Sequence, residues 1–198
     1  MFRILLTAFE PFGGETVNPS LEILRVLSSR EDVIPLTVPV TFSGAAETVL
    51  NHPEIRNCSA VVMLGQAKGR AGITIERVAI NIDDASIPDN EGAQPADTPI
   101  LTDGESASFS TLPVKALVGA IREAGLPASI SNTAGTFVCN HQMYRVLDAL
   151  RDTDIPAGFI HVPALPEQAS GADTPSLPLD DMVKAIETVL NTLRILLT

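Results

Sequence analysis

A cysteine is a useful nucleophile only as its thiolate, and the 198-residue sequence holds two candidates, Cys58 and Cys139. Cys58 stands in RNCS (56–59) just before an apolar run, where a buried filler thiol is expected. Cys139 follows the turn residues Ala134 and Gly135 and precedes a helical pattern over 140–150, which puts it at a strand-to-helix corner. A helix N-terminus there would lower its pKa and offer free N–H groups to an oxyanion. A buried structural cysteine is the alternative. A nucleophilic thiol needs a base, and the sequence has three histidines, His52, His141 and His161. His52 precedes Pro53 and is expected at the surface; His141, two residues after Cys139, does not share its helix face and is expected to cap or pack. His161 ends an apolar run before Pro163, and open α/β sheets place their sites at strand ends, although a core histidine has the same pattern. Glu76 is the carboxylate within ITIERVAI (73–80). Burying it is costly unless it is paired, either with an imidazole that it orients or with Arg70 or Arg77 in a salt bridge.

Other chemistries fit less well. FGG (12–14) and GQAKG (65–69) are glycine-bearing loops with neither the spacing of a nucleotide P-loop nor a dinucleotide fingerprint. No HExxH or CxxC occurs, and Cys139 with His141 alone is a poor ligand set, so neither a metal nor another cofactor is expected. The acidic pairs Asp83–Asp84 and Asp180–Asp181 read as solvated faces or helix N-terminal charges. A net charge of −11 argues against nucleic acid and anionic membrane surfaces as partners. Two cysteines are too few for a disulfide scaffold, and the N-terminal apolar run is too short for a signal peptide, so a cytosolic protein is expected. No apolar stretch approaches membrane-spanning length.

The elements that must position these groups alternate. Residues 2–7, 33–40, 60–64, 128–132 and 158–162 read as strands, and 73–82 as one or two more. Helices are expected from Asn18 through Leu27, over 43–50, from Ser110 to Gly125, over 140–150 and over 180–193. Residues 88–104 and 166–178 read as loops, the first rich in Pro, Gly and Asp. With 45% hydrophobic residues the chain can bury a full core. A single α/β/α sandwich spanning residues 1–198, with a mixed, mostly parallel central sheet, is expected.

Four separated segments together resemble the pyroglutamyl peptidase I (pyrrolidone-carboxylate peptidase) family of cysteine peptidases. They are LTAFEPFGG (6–14) with NPS (18–20), GQAKGR (65–70) running into ITIERVAIN (73–81), SNTAGTFVCNH (131–141), and FIHVP (159–163) with LPEQ (165–168). The resemblance implies a catalytic cysteine, histidine and glutamate at Cys139, His161 and Glu76, and a cleavage that frees the N-terminal pyroglutamyl residue of a peptide through a thioester. It also implies a lactam pocket formed by Phe9, Phe12, Gln66, Phe137 and Val138, and a homotetramer. Flat phenyl rings suit a flat, neutral lactam. Two positions depart from the family pattern: Lys68 replaces a usual glycine, and Ser86 stands where an arginine near the pocket is usual. If that arginine stabilises the oxyanion, Lys68 is a candidate substitute cation. The alternatives are a binding protein that has lost turnover through these two changes, and a cysteine amidase or acyltransferase for another small amide.

Overall fold

The computed structural model describes residues 2–169, 171 and 174–198. Runs without polar interruption form the inner strands. β1 (Ile4–Phe9), β3 (Ala60–Gln66) and β8 (Ala157–Val162) are buried along their whole length, as strands covered on both faces must be. With β2 (Val33–Val38), β4 (Ile73–Glu76) and β7 (Ala128–Ser131) they make a six-stranded sheet in the order β2-β1-β3-β8-β4-β7. Every neighbouring pair is parallel except β8 with β4, so the sheet is mixed and mostly parallel.

Successive side chains on a strand point to opposite faces, and the core divides accordingly. Ile4, Leu6, Val62, Leu64, Ile160 and Val162 pack on one side against α1 (Pro19–Leu27), α3 (Val114–Glu123) and α5 (Leu179–Leu197). Leu5, Phe9, Val61, Met63, Ala157 and Phe159 pack on the other against α2 (Ala45–Leu50) and α4 (Val138–Leu150). The result is the expected α/β/α layering. No described helix is long and apolar enough to cross a membrane.

The structure departs from the sequence reading at element ends. The apolar run 73–82 breaks after Glu76 into β4 and β5 (Val78–Ile80), and β5 pairs antiparallel with β6 (Ala107–Phe109) outside the main sheet. Three residues with a half-exposed serine and an exposed phenylalanine give β6 no readable alternation. α5 continues to Leu197, past the last buried residue, Leu193. Within the loop expected over 166–178, Pro166–Gln168 forms a 3-10 turn, and residues 170, 172 and 173 lie outside those described. α4 begins at Val138, which places Cys139 inside its first turn.

Candidate active site

Strand register brings the polar residues together. His161 pairs with Gly65 of β3 on one side and with Thr74 of β4 on the other. Glu76 lies two residues beyond Thr74, so the side chains of Thr74, Glu76 and His161 share one face, the face that α4 covers. Across that face His161 Nδ1 donates to Glu76 Oε1 at 2.7 Å. This bond fixes the tautomer and leaves Nε2 as the basic nitrogen. Glu76 is 0% and His161 4% exposed, so the pair is shielded from bulk water. Arg70, from the loop after β3, donates to the same Oε1 at 2.5 Å, to Thr74 Oγ1, and to the carbonyl of Thr133 at 3.1 Å. Glu76 therefore meets both partners that its sequence context suggested, whereas Arg77 turns away to Asn132.

The thiol reaches this face from above. Loop 132–137 turns at Gly135, whose φ of +80° suits glycine, and delivers Phe137 in an extended conformation as the residue before α4. An apolar side chain there supplies no cap, and the first α4 amide with a main-chain acceptor is that of His141, bonded to Phe137. The helix start is held from behind. The Asn140 side chain accepts from the amide of Ile80 and donates to the carbonyls of Ile80 and Ile82, while His141 pairs with Asp83 at 2.7 Å. Cys139 Sγ then rests on Gly65: a Cβ there would lie 3.2 Å from the sulfur and 2.7 Å from Phe159 Cζ. Phe159 in turn packs on the His161 ring at a centroid distance of 4.8 Å. Cys58, by contrast, is buried and bonded to the carbonyl of Ile55.

The charges of the cluster are coupled. Burial works to raise the Glu76 carboxyl, but the hydrogen bond and charge of His161, with Ser131 and Arg70, outweigh it and hold the group below its ordinary value. Burial pushes His161 down; Glu76 opposes this and Arg70 adds to it, leaving the imidazole below its usual value. Burial also pushes the Cys139 thiol up to about 12, with the Glu76 charge in the same direction and Arg70 opposed. The sequence reading expected a lowered thiol pKa from the helix N-terminus. Desolvation of the sulfur wins instead, and the arrangement favours thiol, neutral imidazole and carboxylate.

Beside the start of α4, aromatic rings gather. Phe12 and Phe137 have centroids 6.4 Å apart, and Phe42, which the sequence gave no reason to single out, packs edge-on against Phe137 at 5.4 Å. Phe9 lies deeper, 2% exposed and packed on Phe159, and Val138 is fully buried. The Gln66 side chain projects to the opposite face of the sheet from His161, as strand alternation requires, where its amide donates to Gln168. Gln168 is itself tied to the carbonyl of Val17. Lys68 is half exposed and paired with Glu15, and Ser86 is exposed. The cation that touches the buried carboxylate is thus Arg70. No group of three or more potential metal ligands occurs among the described residues.

The sequence matches the family described as pyroglutamyl peptidase over residues 2–194. It is 50% identical to a pyrrolidone-carboxylate peptidase of Vibrio vulnificus (strain YJ016) over 196 residues, covering 97% of this chain and 92% of that protein. It is 51% identical over 194 residues to pyrrolidone-carboxylate peptidase 1 of Caldanaerobacter subterraneus subsp. tengcongensis, covering 95% and 96% respectively. Its fold superposes on the crystal structure of pyroglutamyl peptidase I from Bacillus amyloliquefaciens with a TM-score of 0.93 at 41% identity, covering 98% of each chain.

Proposed function

This chain belongs to the pyroglutamyl peptidase family, hydrolases that act on peptide bonds, and from that premise we propose that it removes N-terminal pyroglutamyl residues through a Cys139–His161–Glu76 triad. The observation that carries this reading is the buried 2.7 Å bond from His161 Nδ1 to Glu76, set beside a thiol that rests on the strand partner of His161. With Nδ1 committed, Nε2 takes the Cys139 proton as the sulfur attacks the pyroglutamyl carbonyl carbon. The developing oxyanion is received by the uncapped amides at the start of α4. Collapse breaks the peptide C–N bond, and Nε2 returns the proton to the departing amine. Water, deprotonated by the same nitrogen, then splits the thioester, releases pyroglutamate and restores the thiol.

Specificity follows from the aromatic slot. A flat ring held between two phenyl faces needs about 7 Å, two van der Waals contacts of ~3.5 Å each, and the Phe12–Phe137 separation is 6.4 Å. A small opening of these partly buried rings admits the lactam. Phe9 and Val138 back the slot from the core, and Gln66 contributes main-chain groups, since its side chain is engaged by Gln168. A peptide with a free α-ammonium would place an unpaired charge against these rings, which opposes its binding. The substrates are N-terminally pyroglutamylated peptides. In the same reading residues 1–198 form one catalytic domain that works in the cytoplasm as a homotetramer; sedimentation as a monomer at working concentration would overturn the last point.

The experiment is steady-state hydrolysis of a pyroglutamyl fluorogenic amide, with the open-chain glutaminyl amide as control. The protein should cleave the first and leave the second. Cys139→Ser should lose nearly all activity and Cys58→Ser should keep it. Equal cleavage of both amides, or full turnover in Cys139→Ser, would overturn the reading.

A further inference from the structure

Arg70 makes more contacts to the cluster than a surface residue needs. Its loop leaves β3 just after Gly65 and Gln66, and the guanidinium reaches back across β4 to Thr74, Glu76 and the carbonyl of Thr133. The Thr133 carbonyl belongs to the loop that leads into α4, so one planar group links the carboxylate to the segment that delivers the thiol. The sharing of acceptors is uneven. Glu76 Oε1 receives both His161 and Arg70, while Oε2 is buried with no protein partner among the described residues. A carboxylate sealed at 0% exposure and met only by neutral groups would be a buried charge with no opposite charge beside it.

We propose that Arg70 is a positioning residue of the triad, which fixes Glu76 and the Cys139 loop in one frame and cancels the Glu76 charge so that His161 remains an uncharged base. This rests on the triad reading above. Without Arg70, the charge left on Glu76 is felt by the whole cluster: the Glu76–His161 pair binds a proton more tightly, and the Cys139 thiol gives its proton up less readily. Arg70 lowers the proton affinity of both groups, which eases release of the thiol proton and keeps the imidazole uncharged to lower pH. Among the described residues, the charged groups that act on His161 are Glu76 on β4 and Arg70 from the loop after β3, and the titratable Cys139 on α4 rests on Gly65, the strand partner of His161. Its other neighbours, Gly65, Thr74 and Phe159, are uncharged. Lys68 cannot take over this role while it is paired with Glu15 at the surface.

The test is the pH profile of kcat/KM for a pyroglutamyl amide in the wild type, Arg70→Gln and Arg70→Lys. Removing a charge that is like a protonated imidazole and opposite to its carboxylate partner lets the coupled pair keep its proton to higher pH, by about one unit where that charge lies within 4–6 Å. In Arg70→Gln the acid limb should therefore move to higher pH by about that amount. Arg70→Lys, which keeps a charge but not the planar fork, should lower kcat with a much smaller shift. A scaffold role alone would lower the rate at every pH and leave the limb in place, and that result overturns the proposal, as does an equal shift in Arg70→Lys. Unfolding midpoints give a second readout that needs no activity. The double change Arg70→Gln/Glu76→Gln removes the uncompensated charge and should be more stable than Arg70→Gln alone; a less stable double variant also overturns the proposal. Failure of the triad itself is recognised separately, by turnover in Cys139→Ser.

Discussion

Replacing Gly65 by alanine puts a methyl group where the structure has a ring edge and a sulfur. The new Cβ would lie 2.7 and 2.9 Å from Phe159 Cζ and Cε1 and 3.2 Å from Cys139 Sγ. Ordinary carbon contacts are about 3.5–4.0 Å, so the ring must retreat by roughly 0.8 Å and the sulfur by a few tenths of an ångström. Neither moves freely. Phe159 is fully buried and packed on His161, and Cys139 is fixed by the helix that Asn140 anchors. Overpacking of this kind costs about 1–3 kcal/mol of stability, and a reacting atom misplaced by up to ~1 Å costs up to ~10²-fold in rate. Gly65→Ala should therefore lower the urea midpoint and reduce kcat by about 10–100-fold, with a smaller effect on KM transmitted through Phe9, which packs on Phe159 behind the aromatic slot. Steady-state kinetics beside urea unfolding separate the two effects. Wild-type kcat in the folded variant would show that Gly65 does not set the position of the sulfur.

Asn140→Ala removes three part-buried hydrogen bonds to Ile80 and Ile82; at about 0.5–1.5 kcal/mol for each, urea unfolding should show a loss of roughly 1.5–4.5 kcal/mol. A loss below that of an ordinary surface change would mean that the helix start is held by other contacts. Lys68→Gly should leave kcat and stability near wild type, since an exposed ion pair contributes ~0–1 kcal/mol; a clear fall in kcat would revive Lys68 as a substitute cation. Stability should also depend on pH with a definite sign. His161 has a folded pKa below its ordinary 6.5, so its contribution is complete above that value and is lost as pH falls below it; Glu76, depressed below 4.5, adds a second loss in more acidic solution. Thermal midpoints measured downward from pH 7 should fall in that order, and His161→Gln should flatten the first part of the fall.

The buried strands and long helices were legible because their apolar residues follow a single period without interruption. β6 was not: its three residues gain strand geometry only by pairing with β5, a contact that no local pattern announces. Cys139, His161 and Glu76 each looked ambiguous alone. What joins them is register, Gly65 opposite His161 and Thr74 opposite His161, which depends on strand order and so lies outside any local window. Arg70 was visible only as a rival partner for Glu76, because the sequence could not show that one carboxylate oxygen serves both His161 and Arg70. Phe42 lies far in sequence from Phe137, and only the packing of α2 and α4 on the same sheet face brings the two rings together. The thiol's raised pKa was hidden for the same reason: local sequence shows the helix N-terminus but not the depth at which the sulfur sits.

The proposed mechanism requires a thioester at Cys139. Rapid acid quench of the protein with excess pyroglutamyl amide, followed by proteolysis and mass spectrometry, reads it directly. A pyroglutamyl group should be found on the peptide that contains Cys139, absent from the Cys58 peptide, and absent altogether in Cys139→Ser. Full turnover with no acyl group at Cys139, or acylation of Cys58 instead, would contradict the account.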